Sequence, residues 1–193
     1  NVQTAVDTKH HLIVAHEVTN NGSDRRQLAN MAKQAKSTLD VETLEAVADR
    51  GYYRSEEILD CEESNIESYV PKPNTSPNRA KGHFDRDAFR YIAEDNAYEC
   101  PAGQRLIYRQ TTQENGKVLH RYWATVTVCR QCPLKAQCTS GRERRIARWE
   151  HEEVLEAAQV RLDQNPEIMR IRRTTVEHPF GTFKAWMGYT HFL

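Results

Sequence analysis

Near its C-terminus the chain reads RRTTVEHPFGTFKAWMG (residues 172–188), with Arg173 four residues before Glu177 and Lys184 seven after it. On an α-helix advancing about 100° per residue, those offsets lie within about 40° and 20° of whole turns, so the three share a face. Such a set can be an ordinary i,i+4 ion pair, worth a few tenths of a kcal/mol. It can also be a carboxylate kept ionised for metal or substrate, with cations placed to hold phosphates. Spacing alone leaves both open. Pro179 removes the bond to the Thr175 carbonyl and predicts a kink just after Glu177. A second acid, Asp49, closes the apolar run LEAVA (44–48) and opens Arg50-Gly51-Tyr52-Tyr53. In open α/β sheets ligands gather beyond the carboxyl ends of strands. From position alone, a turn-forming aspartate is an equal reading.

Sulfur supplies the other pattern. Cys100, Cys129, Cys132 and Cys138 give C-x28-C-x2-C-x5-C. The Cys129–Cys132 pair has the spacing of a zinc half-site, Cys138 is near enough to join it, and Cys100 in the turn-like YECPAG is a candidate fourth ligand. Tetrahedral zinc would staple a segment too small to build its own core; four reduced thiols are the alternative. Cys61 lies one turn beyond Ile58 and reads as a packed side chain.

These residues need elements to hold them. VQTAV (2–6) and HLIVAHEV (11–18) read as strands, and Ser23 or Asp24 caps a helix through Leu28, Met31, Ala32, Ala35 and Leu39. LEAVA is a short buried strand, Ser55 opens a helix with Glu56 and Glu57 in its first turn, and SYVPKP (68–73) gives one more strand. Residues 74–86, rich in Pro, Asn, Gly and charge, read as a linker. From Phe89 to Arg145 the pattern turns to short β pieces, RLIYRQT and VLHRYWATVTV among them. Helical periodicity returns near His151, and Asn165-Pro166-Glu167 starts the last helix. This predicts an α/β fold in three parts: 1–86 a mixed sheet with covering helices, 87–148 a Cys-rich β insertion, and 149–193 closing helices.

ADRGYY (48–53), taken with Arg173-x3-Glu177-x6-Lys184 and VEHPFGTFKAWMG, resembles the DDE transposases of bacterial insertion sequences, in the branch with the Tyr-Arg-Glu-Lys signature. The resemblance runs from NVQTAVD through WMGYTHFL and includes a Cys-rich insertion. It implies a ribonuclease H-like core that cleaves and rejoins DNA, with two Mg²⁺ or Mn²⁺ ions held by three carboxylates. Asp49 and Glu177 match the second and third acids. The first is expected on a strand upstream of Asn1, with Asp7, in the turn after the first strand, a poor substitute. Arg173 and Lys184, with Arg170, Arg50, Tyr52 and Trp186, are expected to contact DNA. The chain departs from the signature in one place: Arg170 stands where the family has its Tyr. Trp186, Tyr189 and Phe192 read as core residues or as a surface for stacking a splayed base. His10, His11 and His16 show no ligand spacing and read as surface or packing residues, whereas His178, next to Glu177, is near enough to touch the site, with nothing in the sequence to fix its orientation.

Composition sets outer bounds. The 193 residues carry 27 basic and 27 acidic groups, 38% apolar content and five cysteines. That balance fits a globular domain and does not itself announce nucleic acid. Charge is clustered, however, at Arg142, Arg144, Arg145 and Arg148 and at Arg170, Arg172 and Arg173. Such clusters are solvated faces or a local stripe for DNA. No apolar run approaches the roughly 18 residues that span a bilayer. An odd cysteine count with Cys-x-x-Cys and no signal peptide argues for the cytosol. Asn1 in place of an initiator Met leads us to expect a true N-terminus upstream. DNA and a second copy of the chain are the expected partners. The competing reading is a non-catalytic, zinc-stapled DNA-binding or assembly module on the same fold.

Overall fold

A computed structural model describes residues 1–185, without the side chains of His178, Phe180, Thr182, Phe183 and Lys184. It divides into two units, residues 1–73 with 153–193, and residues 74–152. The stretch 74–86, expected as a linker ending the first part, belongs to the second unit. The Phe84 N–H donates to the Gln137 carbonyl at 2.8 Å, and Arg86 pairs with Glu152 at 2.6 Å.

In the first unit β1 (Val2–Val6) and β2 (Ile13–Val18) form an antiparallel hairpin. Helix α1 (Leu28–Leu39) follows a short 3-10 turn that Ser23 caps. Then come β3 (Leu44–Val47), a second 3-10 turn at Arg50–Tyr52, α2 (Ser55–Glu63) and β4 (Ile66–Tyr69), with β3 and β4 paired in parallel. The fourth strand thus lies earlier than the 68–73 read from sequence, and stops before the prolines. Leu28, Ala29, Ala32, Ile58, Cys61, Ile66, Val70 and Ala158 make the buried core. Cys61 is wholly enclosed, and burial pushes its thiol up to about 12, as expected of a packing residue.

The second unit opens with a single helical turn, α3 (Pro77–Ala80), and builds a five-stranded antiparallel sheet. Its strands are β5 (Arg90–Ile92), β6 (Ala97–Glu99), β7 (Arg105–Glu114), β8 (Lys117–Trp123) and, after α4 (Val126–Arg130) and α5 (Lys135–Cys138), β9 (Arg145–Trp149). Asn115 and Gly116, both at positive φ, close the β7–β8 hairpin, the geometry that favours Asn-Gly. The expected strand VLHRYWATVTV breaks at Ala124. Val126–Arg130 turns helical despite its β-branched residues, and Val128 and Cys129 pack on the Phe89, Tyr98, Leu106, Tyr122 cluster. Packing has overridden propensity there.

Helices α6 (Glu152–Gln164) and α7 (Ile168–Ala185) complete the described chain. The Ile168 N–H donates to the Asn165 carbonyl at 3.1 Å, and α7 begins at Ile168, two residues after the Pro166 start read from sequence. Helix α7 runs on through Pro179.

Candidate functional site

Asp49 sits where β3 ends, as its sequence position predicted. Its Oδ1 accepts from the Gly51 N–H at 2.8 Å, which caps the 3-10 turn. Its Oδ2 accepts from an Arg172 Nη at 2.8 Å. A cation thus already faces the carboxylate, though it is a guanidinium from α7. The Asp49 side chain is 47% exposed, so the pair contributes at most about 1 kcal/mol.

Beside Asp49 lies a cavity of about 200 Å³. Among its lining residues are the unbroken runs 4–8 and 44–48. Side chains alternate between the two faces of a strand, so a cavity met by consecutive residues sees a strand edge. β1 pairs only with β2, and β3 only with β4, among the described residues. Two unpaired strand edges therefore border one slot, with α1 and the Arg172, Thr175, Val176 face of α7 as its other walls. Thr175 is buried at 2% exposure.

Polarity of the slot follows from Tyr52, whose hydroxyl donates to Gln3 Oε1. Gln3 in turn donates to Asp24 Oδ1 at 2.6 Å. The start of β1 therefore lies beside the end of β3. Asp7, beyond the far end of β1, shares a hollow with Leu44 and Glu45 at the start of β3. Four to five residues at about 3.3 Å each put Asp7 roughly 15 Å from Asp49 along the sheet. Asp7 is occupied in its own turn: it accepts from His10 N–H at 2.7 Å, and that bond lowers its carboxyl pKa. The structure does not bring Asp7 to Asp49.

Tyr52, expected to face DNA, has its hydroxyl turned to Gln3. Burial, followed by the charges of Asp24 and Asp49, pushes its phenol up to about 12, with Arg172 opposing. Arg50 is exposed on the 3-10 turn next to Asp49.

On α7, Arg173 and Glu177 are both exposed. Relative to Arg172, Arg173 and Glu177 fall at about 100° and 140° around the axis, so these two share one face. That face differs from the one turned to the slot, where Arg172, Thr175, Val176 and the buried Pro179 gather. Glu177 also stands about 7.5 Å further along the axis than Arg172. Arg172, not Glu177, meets Asp49 here, and the sequence reading missed it. Arg170 pairs with Glu167 at 2.5 Å on an exposed turn. The Lys184 side chain and the whole of Trp186 lie outside the described residues, as do Tyr189 and Phe192.

The second basic cluster divides. Arg144 and Arg148 are buried at 8% and 7% exposure, over the rings of Phe89 and Tyr91. They are not a solvated face. Arg145 stacks on Trp123 and pairs with Glu143.

Among the described residues, no group of three or more His, Cys, Asp or Glu is arranged to hold a metal. Asp49, with one acid at the strand end and an arginine on it, does not make a two-metal site alone. The four cysteines of the second unit are nonetheless neighbours, all lining one cavity of about 30 Å³. None is in a disulfide. No described helix is long and apolar enough to cross a membrane.

No curated protein and no solved structure matches the chain. A family model does match, and it spans the four clustered cysteines together with Arg173, Glu177 and Lys184. Over residues 99–193 the chain matches the model of the family described as the transposase DDE domain, the kind of protein its acid and cation spacing resembled.

Proposed function

We propose that this chain is catalytic sequence of an insertion-sequence transposase, which nicks DNA at transposon ends and joins the freed 3′-hydroxyl to a target. The observation that carries this reading is Asp49. It stands at the carboxyl end of a parallel strand, oriented by Gly51 N–H and next in sequence to Ala48, which lines a slot between two strand edges. One strand from upstream of Asn1 fits that slot. Hydrogen-bonded to β1 and β3, it would join the two small sheets into one five-stranded ribonuclease H-like sheet. An acid on it near Gln3 would stand beside Asp49.

In this reading Glu177 supplies the third carboxylate, and the acids hold Mg²⁺ or Mn²⁺, which stabilises the attacking and leaving oxygens of phosphoryl transfer. A roll of α7 by about 140°, with some sliding along its axis, exchanges Arg172 for Glu177 at Asp49. A strand seated against Thr175 and Val176 provides a reason for such a roll. Arg173 and Lys184 then hold DNA phosphates, with Arg50 and Arg170 further out. The reading places the protein in the bacterial cytoplasm, working on DNA as a homodimer.

The exposed Glu177 and the Arg172–Asp49 pair favour the other reading, a non-catalytic DNA-binding module, for the arrangement seen. Strand nicking separates them. The chain extended upstream by one strand should nick transposon-end DNA in Mg²⁺ or Mn²⁺, and residues 1–193 should not. Asp49→Asn and Glu177→Gln in the extended chain should each lower the rate by at least about 100-fold, since positioning and charge stabilisation supply nearly all the catalysis. An extended chain that binds the ends yet nicks no faster than those variants establishes the module instead.

A further inference from the structure

We propose that Cys100, Cys129, Cys132 and Cys138 hold one structural zinc ion as a tetrathiolate, with Arg144 and Lys135 balancing its charge. The inference is independent of catalysis at Asp49.

Three separate pieces of chain deliver the four sulfurs to one place. Cys100 follows β6 in a turn closed by Gly103 N–H to the Cys100 carbonyl at 2.8 Å. Cys129 is in α4, and Cys132 follows it in a turn whose N–H donates to the Cys129 carbonyl at 3.4 Å. Cys138 ends α5. Between them is a cavity of about 30 Å³, enough for a single small occupant. The sulfurs have not converged to coordinating positions. A cysteine thiol turns about one side-chain torsion, and Zn–S bonds of about 2.3 Å would draw the four inward.

Charge gives the second, independent observation. Zinc with four thiolates carries a net charge of two minus. A buried dianion is costly unless cations and donors surround it. Arg144 lines this cavity at 8% exposure, and its Nε is buried with no hydrogen-bond partner. Its Nη1 donates to the Cys138 carbonyl at 3.3 Å. Lys135 also lines the cavity, its Nζ donating to the Gly141 and Arg142 carbonyls at 2.8 and 3.1 Å. A guanidinium with an idle N–H, buried beside four cysteine sulfurs, has no carboxylate partner among the described residues. A zinc tetrathiolate supplies a counter-charge, with sulfur lone pairs to accept that N–H.

The ion also has structural work to do. Strands β5 and β6 are three residues each, and α4 and α5 have five and four. One ion tying the end of β6 to both short helices fixes them against the Phe89 core. Binding releases the thiol protons to solvent; no oxidant or reductant takes part.

The test begins with the unaltered chain, purified without added metal or chelator. One zinc per chain is expected by metal analysis. Mercurial titration should release that zinc as four thiols react, and Co²⁺ exchanged for it should give the intense visible bands of tetrahedral thiolate. Cys132→Ser and Cys138→Ser should each lose the ion, whereas Cys61→Ser keeps it. Arg144→Gln should keep one zinc but surrender it to a competing chelator about 10-fold more readily, the usual scale for a residue that orients or balances ligands. Zinc-free protein overturns the proposal, as does a Cys129–Cys132 disulfide or an octahedral Co²⁺ spectrum. Unchanged zinc retention in Arg144→Gln overturns the role given to the arginine.

Discussion

Removing one oxygen tests how the start of β1 is tied to the turn that follows β3. In Tyr52→Phe the ring remains but the donor to Gln3 Oε1 is gone. Gln3 is only 2% exposed, and its amide nitrogen stays bonded to Asp24. Its oxygen is thus left buried with one partner fewer. A net hydrogen bond is worth about 0.5–1.5 kcal/mol, and a stranded acceptor raises the loss toward 3, so about 1–2 kcal/mol is expected. For 193 residues that corresponds to a fall in melting temperature of about 3–6 °C. The same hydroxyl has a pH signature. Its folded pKa, about 12, lies above its ordinary 10.0, so the folded state keeps the proton longer than the unfolded one. The stability it contributes is complete below pH 10 and is lost as pH rises from 10 toward 12. Two units correspond to about 2.7 kcal/mol before screening; for this half-exposed phenol about 1 is realistic. Cys61, Tyr69 and Tyr122 also have raised values, so the useful quantity is the difference between the parent and Tyr52→Phe. Urea unfolding at pH 8 and then at steps to 12 should show a gap of about 1–2 kcal/mol that narrows above pH 10. A variant as stable as its parent at pH 8, with a parallel alkaline limb, refutes the Gln3–Tyr52 tie.

Three further outcomes follow from the same unit. Ile58→Ala, at a side chain 1% exposed in the core, should cost about 2–5 kcal/mol in urea unfolding. Arg172→Gln should shift stability by less than about 1 kcal/mol, and the difference should shrink at high salt, because its pair with Asp49 is partly exposed. A Cβ at Gly51 would lie 2.9 Å from Asp49 Oδ1. Gly51→Ala should therefore push the carboxylate aside with little effect on melting temperature, yet slow nicking by the extended chain about 100-fold, as a 1 Å misplacement can.

Much of the first unit could be read directly because its signals are local. LEAVA is an unmixed apolar run ended by Asp49, and Asn165-Pro166-Glu167 marks a helix start whatever surrounds it. The slot was legible only as an expectation of an upstream strand. Its walls come from residues 4–8, 44–48 and 172–176, and no window of sequence contains all three. Helical spacing fixes relative angles along α7 and not which face turns inward. Arg172, Thr175 and Val176 carry one aliphatic residue among three, so no apolar stripe marked that face.

Buried arginines escaped for a related reason. A run of Arg142, Arg144, Arg145 and Arg148 reads as surface, because guanidinium groups seldom leave water. Arg148 does so by lying 3.9 Å from the centre of the Tyr91 ring and donating to the Tyr98 hydroxyl. Its partners arrive from strands some fifty residues earlier. Alternation through β9 and the residue just before it turns Arg144, Ile146 and Arg148 to one side and Arg145 to the other, and Ile146, the buried residue between the two arginines, was the local sign that this side faces inward. Every second residue of a short strand shares its neighbour's environment, so charged positions flanking a buried aliphatic have to be read as core first and as a DNA-facing stripe only when partners across the sheet are excluded.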